Sequence, residues 1–149
     1  MAIYVTSDAH GHVRALDEAL SKISLASDDT LYVLGDMIDR GPDPVGVIKL
    51  VRSLPNARVL KGNHEQIMLD AIIGQDPLDA ETWDINGGWT TRQQLNDMEF
   101  EAYEELIRWA AALPLYAVAQ TAERPYLLVH AGIQTEAARA FLLEHGVDC

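Results

Sequence analysis

Four short apolar runs, each breaking off into a cluster of glycine with aspartate, histidine or asparagine, constrain this chain more than any other feature. Ile3-Tyr4-Val5 leads into Ser7-Asp8-Ala9-His10-Gly11-His12, and Leu31-Tyr32-Val33-Leu34 into Gly35-Asp36-Met37-Ile38-Asp39-Arg40-Gly41. Ala57-Arg58-Val59-Leu60 precedes Gly62-Asn63-His64-Glu65, and Tyr126-Leu127-Leu128-Val129 precedes His130-Ala131-Gly132. Short apolar runs bounded by turn residues read as buried strands. Between them the apolar period becomes helical. Leu16, Leu20 and Ile23 mark a helix over 13–23, and Val47, Ile48 and Val51 mark one over 44–54. A third follows Asn63 with Ile67, Met68 and Ala71 facing inward, a fourth covers 101–113 up to Pro114, and a fifth covers 135–144. Residues 74–98, around Asn86-Gly87-Gly88-Trp89, read as irregular, and Trp83, Trp89 and Trp109 as core.

Strands alternating with helices predict an α/β fold with a largely parallel sheet. The length of 149 residues, against roughly 150 per domain, predicts one domain over 1–149. In open α/β sheets ligands bind beyond the carboxyl ends of the strands, so the four polar clusters are expected to converge.

Their chemistry is mutually consistent. Asp8 and His10 stand two apart on extended chain, so both side chains can face one ion. Asp36 has two oxygens with which to bridge a second ion, and Asn63 adds a neutral oxygen and His130 a nitrogen. Imidazole with carboxylate and amide oxygen suits Mn, Fe or Zn better than Ca. Two such ions about 3.5–4 Å apart generate a hydroxide near neutral pH and clamp a phosphoryl group. Arg40 has the fork geometry for phosphate oxygens, or for an ion pair with Asp39 or Asp43. His64 can protonate a leaving oxygen with Asp39 orienting it; equally, His64 can be a plain first-turn helix residue and Asp39 a turn cap. His12 and His145 read as surface groups.

Charge and cysteine content exclude several classes. Lys plus Arg number 11 against 23 Asp plus Glu, a formal balance of −12. No basic stripe is present to displace counterions, so nucleic acid is not an expected partner. No run approaches the roughly 18 apolar residues of a membrane span, and the start has neither the basic region nor the apolar length of a secretory signal. A cytoplasmic protein is expected. The one cysteine, Cys149, excludes an internal disulfide and a Cys-based zinc site. No Gly-x-x-x-x-Gly-Lys-Ser/Thr is present, which excludes a P-loop nucleotidase.

The ordered set Asp-x-His-Gly, Gly-Asp-x-x-Asp-Arg-Gly, Gly-Asn-His-Glu and His-Ala-Gly resembles the calcineurin-like metallophosphoesterases. The stretch Gly62 to Asp70, with Asn86-Gly87-Gly88-Trp89 and Leu113-Pro114-Leu115, is similar to their bacterial and phage serine/threonine protein phosphatases, the lambda phosphatase type. The resemblance runs from Tyr4 to Gly132 and implies a four-layer α/β/β/α architecture. It implies that Asp8, His10 and Asp36 hold one metal, that Asp36, Asn63 and His130 hold a second, that Arg40 grips phosphate, and that His64 with Asp39 forms an acid dyad. Two divalent ions, Mn before Fe or Zn, and a phosphoprotein or small phosphomonoester substrate are implied with it.

One departure matters. The family's chain continues past His-Ala-Gly to a second substrate-gripping arginine and a Gly-His-Thr segment; neither stands in this sequence, and His145 in Glu144-His145-Gly146 does not match the latter. The expectation is a short relative or a fragment, with an incomplete second sheet, a second ion short of one protein ligand, and uncovered apolar surface inviting a homodimer. Three activities follow: a phosphoserine/phosphothreonine phosphatase first, a diadenosine tetraphosphate hydrolase of the same superfamily as its neighbour, and a catalytically weak metal- or phosphate-binding module as the contrast.

Overall fold

Three of the four apolar runs become neighbouring strands. The computed structural model describes residues 1–74, 76–132, 135–144 and 146. In it β1 (Ile3–Thr6), β2 (Thr30–Val33) and β3 (Ala57–Val59) form a parallel sheet in the order β1-β2-β3. Tyr4 stands opposite Leu31, and Leu31 opposite Ala57. Parallel neighbours require crossover connections, supplied by α1 (Val13–Ile23) and α2 (Pro44–Ser53). The central strand is the most deeply buried, with Leu31 and Val33 each 1% exposed. Val47, Ile48 and Val51 share the inner face of α2 and are buried in the same core. Each such side chain contributes about 1.5–3 kcal/mol. Asp43 begins α2 by accepting the Gly46 amide at 2.9 Å, with Pro44 in the first turn, a cap that contributes about 1 kcal/mol.

α3 (Asn63–Ile73) begins on Asn63 itself, where the sequence implies a helix that follows it, and buries Met68, with Ile67 and Ala71 packed against the core. α6 (Phe100–Ala111) ends just short of Pro114, and α7 (Thr135–Glu144) has the expected bounds.

Two expectations about the elements fail. Residues 74–98 are not irregular: α4 (Leu78–Ile85) and α5 (Trp89–Asn96) lie within them. Each has eight residues, and the buried positions are Trp83 in α4 and Thr90, Thr91 and Leu95 in α5. Helices that bury one aromatic ring or two threonines carry no apolar stripe for a periodicity argument to find. The fourth apolar run, moreover, does not join the parallel sheet. It is β5 (Pro125–Val129), paired antiparallel with β4 (Tyr116–Gln120). Only four residues separate the two strands, too few for a crossover, so a hairpin is forced. Tyr32 Oη donates to the Val118 carbonyl at 3.3 Å, which seats this second sheet over the first.

The second layer has two strands among the described residues. Val5, beside Tyr32 in the register, remains 51% exposed. Trp83 is core, Trp109 is half-buried beneath Arg52, but Trp89 is 61% exposed and is not core. No helix is long and apolar enough to cross a membrane among the described residues. His145 and Cys149 lie outside them.

Candidate metal centre

Because β1, β2 and β3 run parallel, their polar ends emerge on one side of the molecule and knit together. Asp8 N donates to the Gly35 carbonyl at 3.2 Å, His10 N to Asp36 at 3.0 Å and Gly11 N to Met37 at 2.8 Å. Five non-glycine residues here have left-handed backbone: Asp8, His10, Asp36, Asp39 and Arg40, with φ between 40° and 68°. Among the described residues the one other case is Ser24, at the end of α1. Such backbone costs about 1–2 kcal/mol per residue, less for aspartate, and its concentration in one place is a mark of functional sites.

The imidazoles are fixed by carbonyls. His10 Nδ1 faces the Ile38 carbonyl at 2.8 Å, and His130 Nδ1 contacts the Leu34 carbonyl. A carbonyl only accepts, so both rings carry a proton on Nδ1, which leaves Nε2 as the atom that faces the site. Both Nε2 atoms have side-chain oxygens around them. His10 Nε2 lies 3.7 Å from Asp36 Oδ2 and 3.9 Å from Asp8 Oδ1, while His130 Nε2 lies 3.3 Å from Asp36 Oδ1 and 2.9 Å from Asn63 Oδ1. Asp36 thus turns one oxygen toward each histidine. With Nδ1–H tied to backbone and Nε2 turned toward carboxylate and amide oxygens, this is the arrangement of metal-ligating histidines. The donor set fits a divalent ion. Ligand atoms of Asp8, Asp36 and His130 lie within 4.8 Å of one another, as do those of His10, Asp36 and His64.

A second network lies behind the first. His64 Nδ1 donates to Asp39 Oδ2 at 2.7 Å, and both residues are buried. Asp39 also accepts from Trp83 Nε1, at 3.1 Å to each oxygen, and from Thr91 Oγ1 at 2.6 Å. The Arg40 guanidinium reaches forward, with one nitrogen 3.0 Å from His10 Nε2 and the other 2.9 Å from His64 Nε2. Among the described residues no ion pair joins Arg40 to Asp39 or Asp43, so the ion-pair alternative for Arg40 is not realised. The His10 and His64 rings meet edge to face at 4.7 Å.

Glu65 holds the loops in register. Its carboxylate accepts the amides of Asp36 (2.9 Å), Met37 (2.8 Å) and Gly62 (2.8 Å), and it is fully buried. Burial pushes its carboxyl above the usual range, against the pull of these three amides. Asp36 Oδ1 in turn accepts the His64 amide at 3.0 Å.

All eight residues singled out in the sequence (Asp8, His10, Asp36, Asp39, Arg40, Asn63, His64 and His130) therefore come together. His12 is exposed, at the start of α1. The roles of Glu65, Trp83 and Thr91 were not read. The Gly62-x-x-Glu65 spacing carries the glutamate half of a capping box, Glu65 accepting the Gly62 amide, a signal that could have found the first. No local signal exists for the other two, which lie 44 and 52 residues from Asp39.

Comparison with known proteins gives this arrangement its family. The model of the calcineurin-like phosphoesterase family matches residues 1–146. Symmetrical bis(5'-nucleosyl)-tetraphosphatases of Erwinia tasmaniensis and Proteus mirabilis are each 32% identical, over 136 and 139 residues. Each match takes in 89% of this chain and 45% of the relative, so the chain spans less than half the length of these relatives. A metallophosphoesterase structure from Sphaerobacter thermophilus is 28% identical with a TM-score of 0.54, covering 78% of this chain and 42% of that one. A serine/threonine phosphatase from Saccharomyces cerevisiae, at 21% identity, TM-score 0.60 and coverage of 89% and 38%, shares the fold. With a family match over nearly its whole length, the chain belongs to the calcineurin-like phosphoesterases.

Proposed function

We propose that this chain carries a two-metal phosphohydrolase centre whose substrate is a dinucleoside tetraphosphate, cleaved to two nucleoside diphosphates. The observation that carries hydrolysis is the pair of Nδ1-anchored histidines, His10 and His130, aimed at the two oxygens of Asp36. Asp8, His10 and Asp36 would hold one ion, and Asp36, Asn63 and His130 the other. Bound divalent ions of this kind supply Lewis acidity and an activated water. Everything else falls to side chains. Arg40 turns its fork from the two imidazoles onto phosphate oxygens. His64, its Nδ1 tied to Asp39, takes a proton at Nε2 and delivers it to the leaving oxygen, while the buried Asp39 carboxylate balances the imidazolium.

The substrate class rests on the tetraphosphatase relatives, which favour it over the phosphoprotein expected from the motifs alone. It also has room. A cleft of about 420 Å³, lined by Lys61, Asn63, Gln66, Leu115, Tyr116 and His130, opens beside the Asn63–His130 pair. That volume lies in the range of small-molecule sites, roughly 300–1,000 Å³. The test is to incubate the chain with Mn²⁺ and diadenosine tetraphosphate, and separately with a phosphoserine peptide, and to identify the products. ADP as the sole nucleotide product, at a higher kcat/KM than phosphate release from the peptide, supports the reading. Faster release of phosphate from the peptide restores the protein phosphatase, and inertness toward both in a chain that still binds Mn²⁺ identifies the weak binding module.

A further inference from the structure

Asp39 accepts three side-chain donors, and its orientation is over-determined. His64 takes one oxygen, Thr91 the other, and Trp83 Nε1 straddles both. The Asp39 amide in turn donates to Thr91 Oγ1 at 2.9 Å, so hydroxyl and residue clasp each other at backbone and side chain. All of these groups are buried, Asp39 completely and Thr91, His64 and Trp83 to within 2%. A buried carboxylate keeps its charge only if its lone pairs are satisfied, and here indole and hydroxyl satisfy those the imidazole leaves. Asp39 also sits on left-handed backbone, with φ of 68°, so its side-chain direction does not follow from the loop alone.

The segment that supplies the two donors is shaped for that purpose. Trp83 lies in α4 and Thr91 in α5, joined through Asn86-Gly87-Gly88. A Cβ placed at Gly88 would stand 2.3 Å from both Trp83 Cδ1 and Nε1. Only glycine lets the start of α5 pass over the indole while the indole keeps its hold on Asp39.

We propose that Trp83 and Thr91 are positioning residues for proton delivery: they fix the Asp39 carboxylate, which fixes the His64 ring with Nε2 toward the leaving oxygen. The proposal rests on the acid role given to His64 above. Removing one of these donors leaves His64 in place but lets the Asp39–His64 pair turn, so the loss falls on turnovers that need a proton. A leaving group that departs readily as an anion needs that proton least.

The test uses the full chain with Mn²⁺ and compares p-nitrophenyl phosphate, whose leaving group is good, with phenyl phosphate, whose leaving group is poor. Thr91→Val and Trp83→Phe are expected to lower kcat on phenyl phosphate by about 10–100-fold with KM little changed. On p-nitrophenyl phosphate the loss is several-fold smaller, and Thr91→Ser restores both rates. An equal loss on the two substrates, a loss confined to KM, or failure of Thr91→Ser to restore turnover overturns the proposal. A second readout needs no turnover. In the metal-free protein the His64 Nδ1 proton, held by Asp39, gives a downfield imidazole resonance, identified by its loss in His64→Asn. Thr91→Val and Trp83→Phe are expected to shift or broaden it, and Thr91→Ser to keep it. An unmoved resonance in folded Thr91→Val and Trp83→Phe overturns the positioning claim even if wild type hydrolyses nothing; a moved resonance in an inactive wild type sustains positioning and counts against the hydrolase reading alone.

Discussion

Replacing Glu65 with alanine removes the one acceptor shared by three buried amides. Asp36, Met37 and Gly62 all donate to it within 2.9 Å, and the carboxylate is 0% exposed. A buried donor left without a partner costs about 1–3 kcal/mol, so three cost about 3–9 kcal/mol. Total stability for a domain is about 5–15 kcal/mol, and Glu65→Ala is therefore expected to lose most of it. Glu65→Gln is milder. Its carbonyl oxygen can keep the Asp36 and Gly62 amides, and its NH2 group then opposes Met37 N–H, a loss of about 1–3 kcal/mol. The assay is urea unfolding in chelator, so that ion binding adds nothing to the folded state. The pH dependence has a definite sign. Burial raises the folded carboxyl above its ordinary 4.5, so the folded chain holds that proton more tightly than the unfolded chain does. The contribution is complete below pH 4.5 and is lost as pH rises through the raised folded value. Glutamine has no such proton, so this pH dependence is absent from Glu65→Gln. A loss below about 1 kcal/mol for Glu65→Ala would refute the claim that this carboxylate holds the three loops together.

His64→Asn is expected to leave ion binding intact and to slow hydrolysis by about 10²–10⁴-fold, measured as ADP release at saturating substrate. Gly87→Ala places a Cβ at φ +92° and 3.0 Å from Arg40 Cγ. Its expected effect is a raised KM as Arg40 is pushed aside, with about 1–2 kcal/mol of strain visible in melting. Asp29 is held below its ordinary 3.8 first by the Ala2 amide and then by that of Ala26, so its stabilising contribution is present above that value and vanishes as pH falls through the lower folded one. Asp29→Asn should accordingly melt earlier than wild type at pH 7, and the two curves should converge as pH falls below 3.8.

The legible part of this protein is the part governed by local pattern. Apolar runs such as Leu31 to Leu34 had to be buried strands, and the parallel order then carried Asp8, Asp36 and Asn63 to one edge without further information. Tyr116–Gln120 escaped because its register is dictated by a four-residue connection to Pro125, a constraint that belongs to the pair and to neither strand. Residues 78–96 escaped for a different reason. Trp83 and Thr91 are buried to satisfy Asp39, and a polar reason for burial leaves no apolar period. The motifs also name chemistry more readily than substrate: Gly62 to Asp70, Asn86-Gly87-Gly88-Trp89 and Leu113-Pro114-Leu115 suggested a protein phosphatase, while the tetraphosphatase relatives favour a nucleotide.

The most direct test of the central claim counts Mn²⁺ per chain by equilibrium dialysis, for wild type and for Asp36→Asn. Asparagine keeps the oxygen that accepts the His64 amide, so the fold is retained while the carboxylate proposed to serve both ions is lost. The account predicts two ions bound to wild type and neither bound tightly by the variant. Two ions held as tightly by Asp36→Asn, or none by wild type, would contradict it.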